Sequence, residues 1–342
     1  MIHAVFSSVI GPLDRLAAFA TPNRNSDDLT LLRFSRRAMA TIFEVLLPFG
    51  CARGTEAAEL ALDLIDELED QLSVFRPNSE VSQINMRAFQ EDVIAESKLF
   101  ALLRLAGGIT RETNGAFDIA VGALTKAWGF YERSGHVPSV AERAAAMSNT
   151  GMRYVILNDN ARSVRYLRNG LEINLGGIGK GYALDRAGEA LRLQGVSSGM
   201  IHGGMSSVLA LGSPANDPAG WAVSLRHPAD QGRSLGVVGL RDQALGTSAA
   251  TYQFFEYNGR KLGHILDPRK GWPAEGLQQV SVIAPTAAEA DAISTALYVM
   301  GMDAAQEYCR THPRIGAVIL PAPNAQPVIL NLAPGDFIPG SP

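Results

Sequence analysis

The sequence predicts an α+β chain of mainly antiparallel sheets with helices packed on their faces. Three observations lead there. From about residue 152 to 260, short β-rich segments alternate with glycine turns around one helix only. Longer segments with apolar residues at helical spacing lie before and after this block. The composition, 46% hydrophobic and 19% charged with 34 glycines in 342 residues, is that of a turn-rich globular enzyme.

Taken in order, residues 1 to about 35 show no sustained period and include the polar stretch PNRNSDD. They read as an N-terminal extension to a domain over 36–335, with regular structure from near Met39. TIFEVLLP is apolar and β-branched, hence a strand. TEAAELALDLIDELEDQLSVF repeats apolar residues at helical spacing and closes at the proline turn RPNSE. SKLFALLRLAGGITRETNG is a second helix, stopped by Asn114-Gly115. YVILND, SVRYLR, EINLG, GMIHGG, SVLALG and WAVSLRH follow as strands, with a helix over 180–194 among them. QVSVIAP is the next strand, AAEADAISTALYVMGMDAAQEYCRTH is expected as one long helix, and AVILPA and PVILN close the chain.

Charge and composition narrow the function. The formal net charge of −4 gives no global attraction to nucleic acid or an anionic membrane, so phosphate recognition has to be local. The opening MIHAVFSSVIGPLDRLAAFA lacks a cationic start and is interrupted by Pro12, Asp14 and Arg15, and no run approaches the ~18 apolar residues of a transmembrane segment. The expected compartment is the cytoplasm. Cys51 and Cys309 stand alone, without the Cys or His neighbours of a zinc site, and read as packing thiols.

Three segments carry chemistry. In LGGIGKGYALD, Gly176, Gly177, Gly179 and Gly181 surround Lys180 where a helix begins. Backbone N–H groups and a helix N-terminus approach phosphate through such a loop, and the lysine adds a point charge. Its spacing fits neither a Walker A loop nor GxGxxG, and glycine turns also serve purely as bends. In ADAISTAL, Asp291 and Thr295 are four apart on a helix and share a face, with Ser294 beside them. A carboxylate and a hydroxyl so placed can hold a hard cation such as Mg2+ and leave positions for phosphate oxygens, although an acid in a first turn also simply complements the helix dipole. In GHILDPRKGWP, His264 is a candidate proton acceptor, and a lone histidine equally serves structure.

These segments occur in order behind MATIFEV, LSVFRPNSEVSQIN and TNGAFDIAVGALTKAWGF, with HGGMSSVLALG between the first two. The set resembles the signatures of the ApbE-type FAD:protein FMN transferases from about Met39 to Gly301. The resemblance implies an ApbE-like fold, FAD as substrate, Mg2+, and transfer of FMN to a Thr or Ser hydroxyl of an acceptor flavoprotein with release of AMP. It also implies FAD contacts at Met39, Phe75, Ala116, Phe117, Asp118, Asn174, Lys180 and Leu266. The metal ligands it implies are the Gly177 carbonyl, Asp291 and Thr295, with Ser294 as a further candidate, and it places a catalytic role on His264.

The chain departs from the family pattern mildly at Met39-Ala40-Thr41, where Met-Gly-Thr is usual, and more substantially in two other places. Gly203-Gly204-Met205 stands where GGD or GGN is usual, and Ser248-Ala249-Ala250 replaces an SGD-like turn. Both remove a polar side chain, which keeps open hydrolysis of FAD to FMN and AMP, or FAD binding without turnover. Leu245 to Thr251, LGTSAAT, loosely resembles a flavin acceptor consensus without its aspartate. It aligns with a family strand lining the site, so Thr251 is not expected to be modified.

Overall fold

The structure, a computed structural model, describes residues 30–132, 134–214, 217–230, 232–249 and 254–340. Among the described residues regular structure is present from Leu31, ahead of the expected onset near Met39. β1 (Leu31–Ala38) and β2 (Thr41–Pro48) form a hairpin through Met39 and Ala40, whose φ values are +48° and +58°. Two left-handed residues give the turn whose twist matches the strands, and neither is the glycine or asparagine that tolerates it best.

α1 (Gly54–Leu72) buries an alanine- and leucine-rich face, and its acidic outer face holds Arg36 of β1 through Glu59, Asp63 and Asp66. Beyond the proline turn comes a helix that the sequence patterns do not predict, α2 (Glu80–Arg87). Ser79, the fourth residue of RPNSE, caps it by accepting the Ser82 N–H at 3.0 Å. Next come β3 (Val93–Ile94), α3 (Ser97–Glu112), α4 (Gly122–Ala127) and α5 (Val140–Ser148), the last opened by a Ser139–Glu142 capping box. β5 (Ser163–Tyr166) pairs with both β3 and β4 (Val155–Asn158) in a small sheet of order β3-β5-β4.

α6 (Gly179–Leu193) is followed by β6 (Gly199–Gly203), β7 (Ser207–Leu211), β8 (Trp221–Arg226), β9 (Ser234–Leu240), β10 (Ala244–Ser248), β11 (Phe254–Tyr257), β12 (Arg260–Gly263), β13 (Leu266–Asp267), β14 (Trp272–Pro273) and β15 (Gln279–Ala284). α7 (Ala287–Met300), α8 (Met302–Thr311), β16 (Gly316–Leu320), β17 (Val328–Leu330) and β18 (Phe337–Pro339) complete the chain.

The main sheet has eight strands, all antiparallel, in the order β1-β2-β6-β7-β10-β15-β16-β17. One face packs on α1, α6 and α7 around the principal core, and the other on the sheet β18-β9-β8. β2 therefore sends Phe43, Val45 and Leu47 to one core and Leu46 to the other. A strand buried on both faces reads as a near-continuous apolar run, as TIFEVLLP does apart from Thr41 and Glu44, whose buried carboxylate lies 2.8 Å from His202 Nε2.

Two further expectations are corrected. EINLG is not a strand, because its backbone is held by non-strand partners: Ile173 N–H donates to Asn85 Oδ1 at 2.8 Å and Asn174 N–H to the Ile119 carbonyl at 2.7 Å. The long C-terminal helix is two, broken at Gly301, whose φ of +81° a continuing helix does not allow. No helix among the described residues is long and apolar enough to cross a membrane. Cys51 and Cys309 are both free thiols, as expected.

Candidate active site

The site is built on glycine-mediated close approach. A Cβ on Gly181 of α6 would lie 2.0 Å from the Ala287 carbonyl oxygen, and one on Gly246 of β10 would lie 2.6 Å from the Asp291 nitrogen. Only glycine lets α7 lie this near both α6 and β10. The same approach joins LGGIGKGYALD to ADAISTAL at two levels. Asp185 of α6 accepts the N–H groups of Ala287 and Ala288 at 2.7 and 2.9 Å, satisfying two free donors at the start of α7. One turn on, Asp291 Oδ2 accepts the Gly181 N–H at 2.7 Å.

Asp291 is only 6% exposed. Burial pushes its carboxyl above the usual carboxylate range, against the opposing pull of Lys180, the Ser207 hydroxyl and the Gly181 N–H. Ser207 Oγ donates to Asp291 Oδ1 at 2.7 Å. Each carboxylate oxygen thus has one protein donor and a lone pair to spare.

Around Asp291 stand further oxygens. Ser294 and Thr295 donate to the Asp291 carbonyl at 2.9 and 3.2 Å. Ser248, at the end of β10, lies with its Oγ 2.9 Å from Ser294 Oγ and 3.1 Å from Thr295 Oγ1. The Gly177 main chain is close by: a Cβ there would be 3.7 Å from Thr295 Oγ1 and 3.2 Å from the Phe117 ring. In a regular helical turn the Gly181 N–H would close on the Gly177 carbonyl, but it is turned to Asp291 instead.

These oxygens fit a hard cation. The set comprises one carboxylate, hydroxyls and a carbonyl, the ligands that Mg2+ takes while keeping positions for phosphate. No group of three or more His, Cys, Asp or Glu that could hold a metal ion occurs among the described residues, so a cation here would rest on one carboxylate with hydroxyls and a carbonyl.

The expected flavin contacts divide into several groups. Lys180, half-buried near the start of α6, lies close enough to act on the Asp291 charge. Ala116 and Phe117 are buried, and Phe117 stands against Gly177. The Asp118 side chain is turned into the protein, where it accepts the N–H groups of Ala120 and Met152 and so ties its own loop to the segment at Met152. Asn174 Oδ1 accepts the Gly176 N–H at 2.8 Å and its amide reaches the Tyr131 hydroxyl at 3.1 Å. Phe75, 70% exposed, meets Tyr131 edge-on at 5.5 Å. An aromatic edge therefore adjoins the glycine loop. Sequence reasoning missed Tyr131, and nothing local in GFYE distinguishes it.

The remaining candidates are placed only locally. Met39 occupies the β1–β2 turn against the principal core, and Leu266 is buried with Leu124 and Trp128 in a small cluster. His264 is half-buried between β12 and β13. Its segment is fixed at Asp267, which receives Arg269 through the N–H and guanidinium at 2.8 to 3.0 Å. That pairing holds the Asp267 carboxyl below the usual range despite burial. Arg269 in turn approaches Gly115, tying this segment to the turn before Ala116. Thr251 lies outside the described residues.

The ApbE family model matches residues 39–319. A FAD:protein FMN transferase of Klebsiella pneumoniae is 33% identical over 267 residues, 77% of this chain and 81% of that protein. One of Treponema pallidum is 30% identical, covering 77% of this chain and 76% of its own. Among solved structures, the ApbE protein of Thermotoga maritima superposes with a TM-score of 0.78 at 29% identity, over 85% of this chain and 94% of that one. The apo flavinyl transferase ApbE of Pseudomonas stutzeri, at 24% identity and a TM-score of 0.76 over 92% and 95% of the two chains, shares the fold.

Proposed function

Since the chain belongs to the ApbE family, we propose that it is a flavin transferase, moving FMN from FAD to a Thr or Ser hydroxyl of an acceptor protein. The acceptor oxygen attacks the FMN-side phosphorus of the pyrophosphate and a new P–O bond forms. The bond from that phosphorus to the bridging oxygen breaks, the electron pair leaves with AMP, and the hydroxyl proton passes to a base, for which His264 is the candidate.

The observation that carries this reading is the convergence of Gly177, Lys180, Asp291, Ser294 and Thr295 from two distant segments onto one oxygen-lined site at the start of α6. Main-chain N–H groups at the start of that helix orient the pyrophosphate, and Lys180 neutralises charge as it grows on the leaving AMP. The Gly177 carbonyl, Asp291, Thr295 and Ser294 would hold Mg2+, which supplies Lewis-acid polarisation of the phosphoryl oxygens. The exposed Phe75 and its neighbour Tyr131 offer the flavin ring an aromatic edge.

The test is incubation with FAD, Mg2+ and a polypeptide bearing an Asp-Gly-x-Thr/Ser-x-Ala-Thr segment, read as flavin fluorescence on that polypeptide after denaturation. Retained flavin, lost with EDTA and with Asp291→Ala, is the expected result. Free FMN alone identifies a hydrolase, and intact FAD identifies a binding protein.

A further inference from the structure

We propose that Ser207 is a positioning residue that aims the Asp291 carboxylate at the cation. This inference rests on the cation assignment made above.

The geometry is specific. Ser207 is fully buried, and it is the first residue of β7, pinned between β6 and β10 by the pairs Gly203↔Ser207 and Gly246↔Ser207. A hydroxyl fixed on the sheet by strand pairing on both sides has little freedom to follow a moving partner. Its Oγ donates to Asp291 Oδ1 while Gly181 donates to Oδ2, each at 2.7 Å. One donor comes from the sheet and the other from α6, and between them they fix rotation of the carboxylate about its own axis. The face of each oxygen left open is the face available to a cation. Groups that hydrogen-bond a metal ligand fix its orientation, and their removal typically lowers metal affinity by roughly 10- to 100-fold.

The neighbouring sequence gives Ser207 its importance. Met205 is 48% exposed and apolar at the tip of the β6–β7 turn, so the turn offers Asp291 no side-chain donor from that position. Ser206 adds only a long contact to Ser207, 3.4 Å between hydroxyl oxygens. Ser207 is thus the hydroxyl of this turn that reaches the carboxylate.

The test compares wild type with Ser207→Ala and Ser207→Cys in the full chain, reading FAD binding by flavin fluorescence against Mg2+ concentration and again in EDTA, with the thermal midpoint of the apo protein alongside. Expected is a rise of tenfold or more in the Mg2+ midpoint for Ser207→Ala and a smaller rise for Ser207→Cys, whose thiol is a weaker donor. FAD affinity in EDTA should stay within twofold of wild type. An unchanged Mg2+ midpoint in Ser207→Ala overturns the proposal, as does equal weakening of FAD binding with and without Mg2+, which marks a structural hydroxyl. If Ser207→Ala fails to fold, Ser207→Cys decides alone by the same midpoint. Asp291→Ala separates the two levels of inference: a normal Mg2+ midpoint in that variant removes the cation assignment itself, whereas a large shift there with none in Ser207→Ala removes only the role of Ser207.

Discussion

Replacing Gly181 by alanine tests the close approach on which the site depends. The added Cβ would stand 2.0 Å from the Ala287 carbonyl oxygen, 2.4 Å from its carbon and 2.7 Å from the Ala288 nitrogen, all backbone atoms of α7. Restoring an ordinary contact of 3.4 Å requires α6 and α7 to separate by roughly 1.4 Å at this point. Overpacking of this kind costs about 1–3 kcal/mol, while a helix-interior Gly→Ala change by itself contributes about 1 kcal/mol in the opposite direction. The difference is about 0–2 kcal/mol, and because the clash is with main chain, which cannot rotate away, net destabilisation toward the upper end of that range is expected. Function should suffer more than the fold. The separation stretches the 2.7 Å bond from Gly181 to Asp291, and a displacement near 1 Å can lower rate by about 100-fold. Urea unfolding and FMN transfer would be measured beside Gly108→Ala in α3, where a Cβ meets nothing within 4 Å and stability should be unchanged or slightly higher. Gly181→Ala with wild-type stability and transfer would refute the argument that this crossing sets the site.

Other outcomes follow from single groups. Lys180→Ala should weaken FAD binding or slow transfer at least tenfold, because a hydrogen bond to a charged group contributes about 1.5–3 kcal/mol; equal FAD affinity and rate would return Lys180 to a solvated role. Burial raises the Asp185 carboxyl to about 6, even though it accepts two N–H groups of α7. The folded state therefore retains a proton that the unfolded chain has already lost near pH 4. The contribution is present below pH 4 and is lost as pH rises through 6, at about 1.4 kcal/mol for each pH unit crossed between those two values. The stability gap between wild type and Asp185→Asn should narrow from pH 4.5 to 7.5 in urea titrations, and a constant or widening gap would contradict the assignment. Incubation with FAD and Mg2+ but no acceptor should leave the intact mass unchanged; a gain of one FMN at Thr251 would reverse the expectation that this residue is unmodified.

Much of the architecture was legible in the sequence because its signals are local. The spacing of Ala58, Leu62, Ile65 and Leu72 marks α1, the glycines around Lys180 mark the start of α6, and Asp291 and Thr295 fall on one helix face by period alone. The order of the motifs identified the family that the matching of residues 39–319 then established. Short elements escaped: α2 has eight residues, and the strength of its Ser79 cap lies in geometry that RPNSE only hints at. EINLG has strand-like composition, yet Asn85, 88 residues away, takes its hydrogen bonds.

Only the tertiary structure decided which groups meet Asp291. Ser207 is 84 positions distant, Gly181 110 positions, and the Ser248 that joins Ser294 and Thr295 is 46 and 47 positions from them. A serine at the start of a strand carries no local mark of its partner, since hydrogen bonding to a distant carboxylate leaves no periodicity. The side chain of Asp118 is a further case: the resemblance implies a flavin contact there, and only the structure shows that its carboxylate accepts the N–H groups of Ala120 and of Met152, 34 positions away. Helical period and turn chemistry act over a few residues and are written in the chain. The environment of a buried carboxylate is set by close packing of segments remote in sequence, and that arises only when the sheet and its helices come together.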